Sequence, residues 1–403
     1  MTLFDYALLT GRDEVVGYLS HIGLVATLAD DPDEVTVREV TAGNMNRVFI
    51  VAGPLGSLAV KQAPPFVQAA GPEWPIDPAR IGAEARAYEL LARVVPDAVP
   101  AIVHVDLDRF VLVMEDLSAL EVLRDELVRQ VQDATAGRPV SYIDYGAVGD
   151  VVGRFVGELS LATSVQVLGA PAHAQLVEES ANAELCRLTI DVVLDEPFRG
   201  HEHNWWHPSL DERVAALYAD REVQAAVALV RDRFEHSEQA LLHGDLHSGS
   251  VMIGSTPEQT NKVTVFDPEF SFVGPIGLDL GLFWSNLAIA SIAARAAGHD
   301  GLAAAREDAI AASWQAFVEV WEDASVSFDD DFLESVRADA WRFAGVEAMR
   351  RVAGWSHAAD LETLPSDAAP LAQRAVFDAA RHWIVTGTVT PLTLPTNDPG
   401  ALS

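Results

Sequence analysis

Lysine is nearly missing from this chain. Of 403 residues only two are lysine, Lys61 and Lys262, against 25 arginines and 60 aspartates and glutamates, for a formal net charge of −33. A nucleic-acid binder needs a basic surface to displace counterions, and that surplus is lacking. Docking on an anionic membrane is disfavoured for the same reason. Cysteine is reduced to Cys186, which excludes an internal disulfide and a cysteine-built zinc cluster and suits a reducing compartment. The first residues carry Asp5, Asp13 and Glu14 and show no basic–apolar–cleavage pattern. The most apolar stretch, Leu278 to Ala297, is interrupted by Asp279, Ser285 and Asn286 and reads as falling short of a membrane span. There is no internal repeat. These absences predict a soluble, cytoplasmic protein without nucleic-acid or membrane partners.

What is present is a globular composition, 49% hydrophobic and 22% charged, long enough for two domains. The first third reads as strands. Val35 to Val40 alternates, Val48 to Val51 and Ser57 to Lys61 are short apolar runs, and a turn over Ala42 to Asn46 separates the first two. Arg80 to Val94 has helical spacing up to Pro96, and Ile102 to Val105 and Phe110 to Met114 read as two further strands. This predicts a five-stranded antiparallel sheet with one helix inserted after the third strand. Beyond Asp116 long amphipathic helices dominate: Tyr145 to Thr163, Asp211 to Ser237, Leu278 to Ala296, Leu302 to Trp321, Phe332 to Gly354 and Leu371 to Ile384. Val251 to Ile253 and Val263 to Phe266 form a hairpin among them. The predicted class is α+β and bilobal, with a small β-sheet lobe over 1–115, a larger helical lobe over 116–385, a cleft between them, and an extended, mobile tail over 386–403.

Two loops carry the chemistry. His243-Gly244-Asp245-Leu246-His247-Ser248-Gly249-Ser250 and Asp267-Pro268-Glu269-Phe270 each follow an apolar strand-like lead-in, which places carboxylates on turns at strand ends. Phosphoryl transfer wants such a set, with one carboxylate to orient the attacking hydroxyl and two to hold the magnesium that bridges the phosphates. Lys61 stands on the third strand of a chain that uses arginine elsewhere, so its position suggests a place for a compact ammonium rather than a planar guanidinium. Glu84 on the following helix is its candidate partner, with Glu89 as a competitor on the same helix. Gly43, with Asn44 and Asn46, could close over phosphates through backbone N–H groups, although one glycine suits an ordinary hairpin turn equally well.

Three other groups have competing readings. His243 and His247 are four apart, but the neighbouring glycines argue against a zinc-binding helix. His201-Glu202-His203, with His207, looks like a ligand cluster yet reads better as a polar loop with aromatic packing around Trp205 and Trp206. Arg350-Arg351 is either a solvated pair or, if its helix end faces the site, a clamp for one anion.

The chain resembles the S-methyl-5-thioribose kinases, a branch of the protein-kinase-like and aminoglycoside-phosphotransferase-like fold. The likeness rests on Val37-Arg38-Glu39, Gly43 to Asn46, Lys61-Gln62-Ala63, Glu73-Trp74-Pro75, Met114 to Ser118, the His243 and Asp267 loops, Gly274-Pro275, Asp279, Met349-Arg350-Arg351 and His357 to Asp360. It implies transfer of the ATP γ-phosphoryl group to the anomeric hydroxyl of a 5-substituted ribose in methionine salvage. By position, Asp245 would be the catalytic carboxylate, Asp267 and Glu269 the magnesium ligands, and Lys61, supported by Glu84, the ATP phosphate contact. Gly43 and Asn44 would belong to the phosphate turn, and Met114, Glu115 and Leu117 to the segment meeting adenine. Trp74, Arg350 and Arg351 would join Asp245 on the sugar side. A homodimer is implied as well.

Ser250 stands where protein kinases place a metal-binding asparagine, and Glu269 supplies the missing oxygen donor. Met45, Arg47, Gly82, Trp284 and Trp355 depart from the expected pattern, the two tryptophans being bulkier than expected near the sugar pocket. The 5-substituent therefore stays open, with methylthioribose favoured over other modified pentoses. Competing readings are an aminoglycoside-type kinase, which −33 would suit but the arginine pair opposes, a nucleotide-sensing relative without catalysis, and a phosphoesterase built on His243, Asp245 and His247.

Overall fold

The computed structural model describes residues 7–41, 45–68, 71–254 and 262–394. The chain divides into two compact units, one running to Leu120 and including Phe266–Glu269, the other holding Glu121–Val265 and the chain from Phe270 onward. Asp267 and Glu269, expected with the helical lobe, thus belong with the strands, and the first unit extends five residues past the expected limit at 115.

In the first unit the strands are β1 (Thr36–Val40), β2 (Arg47–Gly53), β3 (Gly56–Gln62), β4 (Ile102–Asp106) and β5 (Val111–Glu115). They form the expected five-stranded antiparallel sheet, in the order β1-β2-β3-β5-β4. The register sets Lys61 opposite Val48 and Leu112, and Met114 opposite Ala59. Two helices accompany the sheet rather than one. The first, α1 (Arg12–His21), buries Val15, Val16, Tyr18 and Leu19 in one core with Phe49, Val51, Val60, Val111 and Val113. Burial of each such apolar side chain contributes about 2 kcal/mol. The second, α2 (Ile81–Val94), follows β3 as expected and turns Glu84, Tyr88 and Leu91 inward.

The second unit is helical: α3 (Leu123–Thr135), α4 (Tyr145–Thr163), α5 (Val165–Leu168), α6 (Ala170–Glu179), α7 (Ala183–Thr189), α8 (Asp211–Ala219), α9 (Arg221–His236), α10 (Gly277–Ala296), α11 (Asp300–Asp323), α12 (Phe332–Ala353), α13 (Ala359–Glu362) and α14 (Ala369–Thr386). The single helix expected over 211–237 is broken at Asp220. That residue is extended, its carboxylate accepts the N–H groups of Glu222 and Val223 as the cap of α9, and Arg381 bonds its other oxygen at 2.7 Å.

Short strands β6 (Glu121–Val122), β8 (Val251–Ile253) and β9 (Val263–Val265) form one small sheet, and β7 (Ala240–Leu241) pairs with β10 (Val273–Gly274). By length and hydropathy α10 would pass for a membrane span, contrary to the sequence reading, but 94% of its apolar window is buried inside the unit, so it is a core helix. Trp284 lies there, 1% exposed, donating Nε1–H to Ser313 Oγ at 2.9 Å and packed on Trp341. It belongs to the core and not, as expected, to a pocket edge. Beyond α14 the expected tail is described only to residue 394.

Candidate active site

In the first unit the lysine, the helix glutamate and the Asp-Pro-Glu turn come together. Lys61 is 5% exposed; its Nζ donates to Glu84 Oε1 at 2.8 Å and to Asp267 Oδ1. Glu89 instead lies on the surface beside Arg93. Asp267 sits in the left-handed region at φ 70°, which aspartate enters more readily than most residues, and its N–H donates to Tyr88 Oη at 2.8 Å. Glu269 Oε2 accepts from Asn46 Nδ2 at 2.6 Å, and Arg80 holds Asn46 Oδ1 at 3.0 Å and the Met45 carbonyl at 2.8 Å. Asn46, Arg80 and Tyr88 were not expected as partners. Arg80 carries the only hint, a cation just before the helix that bears Glu84.

The electrostatics call for a cation. Burial disfavours the Lys61 charge, but Asp267, Glu84 and Glu269 outweigh it and lift its pKa well above the ordinary value. Burial, aided by Asp267, pushes both Glu84 and Glu269 upward against the pull of Lys61. Carboxylate oxygens of Glu84, Asp267 and Glu269 lie within 4.8 Å of one another, and Glu84 Oε2 is buried without a hydrogen-bond partner. An oxygen-only set with such an orphaned atom fits a hard divalent ion. Met114 is buried in β5, Glu115 ends that strand with its N–H on the Ala101 carbonyl at 2.8 Å, and Leu117 is buried just beyond. Trp74 is half-buried in a turn closed by its N–H to the Gly71 carbonyl. Gly43 and Asn44 lie outside the described residues.

In the second unit the His243–Ser250 segment leaves β7 as a tight turn. Asp279, in the first turn of α10, accepts the His243 N–H at 2.7 Å and the Gly244 N–H at 2.9 Å. Burial pushes the Asp279 carboxyl up to about 7, opposed by those two N–H groups, while the Asp245 charge adds to the rise. Gly244 has φ 84°, and a Cβ there would lie 2.2 Å from the Phe270 carbonyl oxygen, so only glycine fits.

Asp245, whose side chain is 36% exposed, has His247 Nε2 3.5 Å from Oδ2. His247 Nδ1 accepts the Gly249 N–H at 2.9 Å, which leaves the neutral ring's proton on Nε2, toward Asp245. Burial lowers the His247 pKa, favouring that neutral form. His243 Nδ1 likewise faces a backbone donor, the Asp245 N–H at 3.3 Å, so the pair is used in shaping the turn rather than grouped as metal ligands. Ser250 also serves the turn, donating to the Asp245 carbonyl at 2.8 Å.

Arg350 and Arg351 do converge on one anion, and it belongs to the chain. Arg350 grips Glu347 through Nε and Nη2 at 2.9 and 2.7 Å, and Arg351 Nε reaches Glu347 Oε1 at 2.7 Å. Against its burial, these guanidiniums hold the Glu347 carboxyl down at about 2. Burial and Arg351 lower Arg350, with Glu347 and Asp245 opposing, so the arginine pair and Asp245 share one electrostatic neighbourhood. Glu347 was missed, although a glutamate three and four residues ahead of two arginines is a readable helical signal.

The fold and these groups define a phosphotransferase, and residues 36–317 match the sequence profile of the phosphotransferase enzyme family. A methylthioribose kinase of Bacillus pumilus is 33% identical over 360 residues, 86% of each chain, and one of an Enterobacter species is 33% identical over 384 residues, 90% of each. The chain belongs to the methylthioribose kinase family. A solved GDP complex of aminoglycoside 2′-phosphotransferase-IIIa superposes with a TM-score of 0.47 at 11% identity, covering 93% of this chain and 99% of that one.

Proposed function

We propose that this protein transfers the γ-phosphoryl group of ATP to the anomeric hydroxyl of 5-methylthioribose. The observation that carries the reading is the buried Lys61, clamped by Glu84 and Asp267 with Glu269 beside them, in a chain of this family. Lys61 meets the ATP phosphates, and Met114, Glu115 and Leu117 meet the adenine. Asp267 and Glu269 would hold a divalent ion, magnesium by their oxygen-only chemistry, which neutralises phosphate charge when bound.

Asp245 orients the sugar's anomeric hydroxyl and accepts its proton as that oxygen forms the new bond to phosphorus. The bond from phosphorus to the β–γ bridging oxygen breaks, and ADP leaves. An anomeric hydroxyl is more acidic than an ordinary alcohol, which eases transfer of its proton to a carboxylate. Arg350 and Arg351, pre-oriented by Glu347, bind the sugar oxygens or the phosphoryl group, and Trp74 covers the sugar. The test follows ADP release with MgATP and a panel of sugars. Methylthioribose should give the highest kcat/KM; a rate at the no-sugar background with methylthioribose, or a higher value with an aminoglycoside, would sink the assignment.

A further inference from the structure

The segment after α7 brings together a donor set that the phosphotransferase reading leaves unused. A π-helical turn over Ile190–Asp195 and the turn Glu196–Phe198 deliver Glu196 inward, with its side chain 8% exposed. The chain then folds back, and the Asn204 side chain locks the loop by donating to the Glu196 and Arg199 carbonyls at 2.6 and 2.8 Å. The result puts His203 Nδ1 3.0 Å and His201 Nδ1 3.5 Å from the same carboxylate oxygen, Glu196 Oε2. The two imidazole rings lie 4.5 Å apart, edge to face.

We propose that Glu196, His201 and His203 form a second metal site that takes one divalent ion of the zinc class. Three observations support it. First, one ligand atom from each residue falls within 4.8 Å of the others, and the 3.0 and 3.5 Å separations bracket the spacing of about 3.3 Å between ligands of a tetrahedral ion at zinc bond lengths. Secondly, the lone pair of His201 Nδ1 is held only by the His203 backbone N–H at 3.3 Å, a long contact that an ion on that nitrogen would replace at little cost. Thirdly, the carboxylate is buried while the histidine side chains are 22% and 36% exposed, so the ion has a closed back and an open route from water.

Two nitrogens and one oxygen select a borderline ion over magnesium or calcium, whereas Glu84, Asp267 and Glu269 offer oxygens alone. The site is also tied to the arginine pair. A Cβ added at Gly354 would lie 3.0 Å from Pro197, Trp355 packs near the His203 ring, and Arg351 Nη1 donates to the Ser356 carbonyl at 3.0 Å. An ion on Glu196 therefore fixes the loop against the end of α12.

The test uses tag-free, full-length protein stripped with chelator and titrated with zinc in excess magnesium against a chromophoric chelator. We expect one equivalent bound tightly, and weakening on the order of 100-fold in His201→Ala/His203→Ala and in His203→Gln. Cobalt uptake should give visible d–d absorption that both variants lose. Far-ultraviolet circular dichroism checks that the variants are folded, and the single glutamine variant covers the case of an unfolded double variant. Absence of stoichiometric zinc binding, or equal binding by wild type and a folded variant, would overturn the site.

Discussion

Asp245 and Glu347 make the account most exposed at the level of single residues. Asp245→Asn leaves the turn's backbone bonds to Asp279 in place and removes the proton acceptor. Turnover should fall by a factor on the order of 10²–10⁴ while MgATP affinity, measured by calorimetry, stays within about twofold. Undiminished turnover would remove Asp245 from its role.

Glu347 makes a pH prediction. Its folded pKa, about 2, lies below the ordinary 4.5, so its stability contribution is fully present above about pH 4.5 and is lost as the pH falls toward 2. The shift corresponds to on the order of 3 kcal/mol. Denaturant unfolding of Glu347→Gln should therefore show a flatter loss of stability below pH 5 than wild type, and lower stability at neutral pH, where Arg350 loses its buried partner.

The residues legible in the sequence were those whose type broke a local habit: one of two lysines in an arginine-using chain, and carboxylates on turns after apolar runs. Asn46 and Tyr88 were not legible as partners, because the groups they bond lie far away in sequence. Glu269, for example, is 223 positions from Asn46. Glu196, by contrast, was missed although His201 and His203 stand only five and seven positions on.

Among the elements, α4 and α11 approach closely enough to need glycine between them. A Cβ on Gly153 would sit 2.1 Å from the Ser313 carbonyl oxygen, which belongs to backbone and has little freedom to retreat. Gly153→Ala should cost about 1–3 kcal/mol in chemical denaturation, the usual penalty for overpacking. Unchanged stability would mean that the two helices are more loosely apposed. Five strands of the first unit and six long helical segments were readable from apolar runs and spacing, because these elements bury enough apolar surface to mark the sequence.

Short elements were harder to read. The two-residue strands β6, β7 and β10 carry no period, and the Asp220 break inside 211–237 depends on a cap that the apolar spacing does not register. Helix α1 is weakly amphipathic and contains Gly17. Helix α3 was missed, although Leu123, Leu127 and Val131 recur at four-residue spacing and are all buried.

At the scale of the whole molecule, a net charge of −33 opposes the binding of a polyanion. Few cations are available to offset it, and those described here are already committed: Lys61 to Glu84 and Asp267, and Arg350 and Arg351 to Glu347. ATP should consequently bind at least about tenfold more weakly when divalent ions are removed, and added monovalent salt should partly restore it by screening the protein's field. Calorimetric titration with and without chelator checks this; equal affinities would show that the protein's own cations suffice.

The central claim is the transfer itself, and phosphorus NMR of the reaction with MgATP and methylthioribose tests it most directly. One new phosphate monoester resonance coupled to the sugar's anomeric proton is expected, growing in step with ADP. Inorganic phosphate as the sole product, or a phosphate on another hydroxyl, would contradict it.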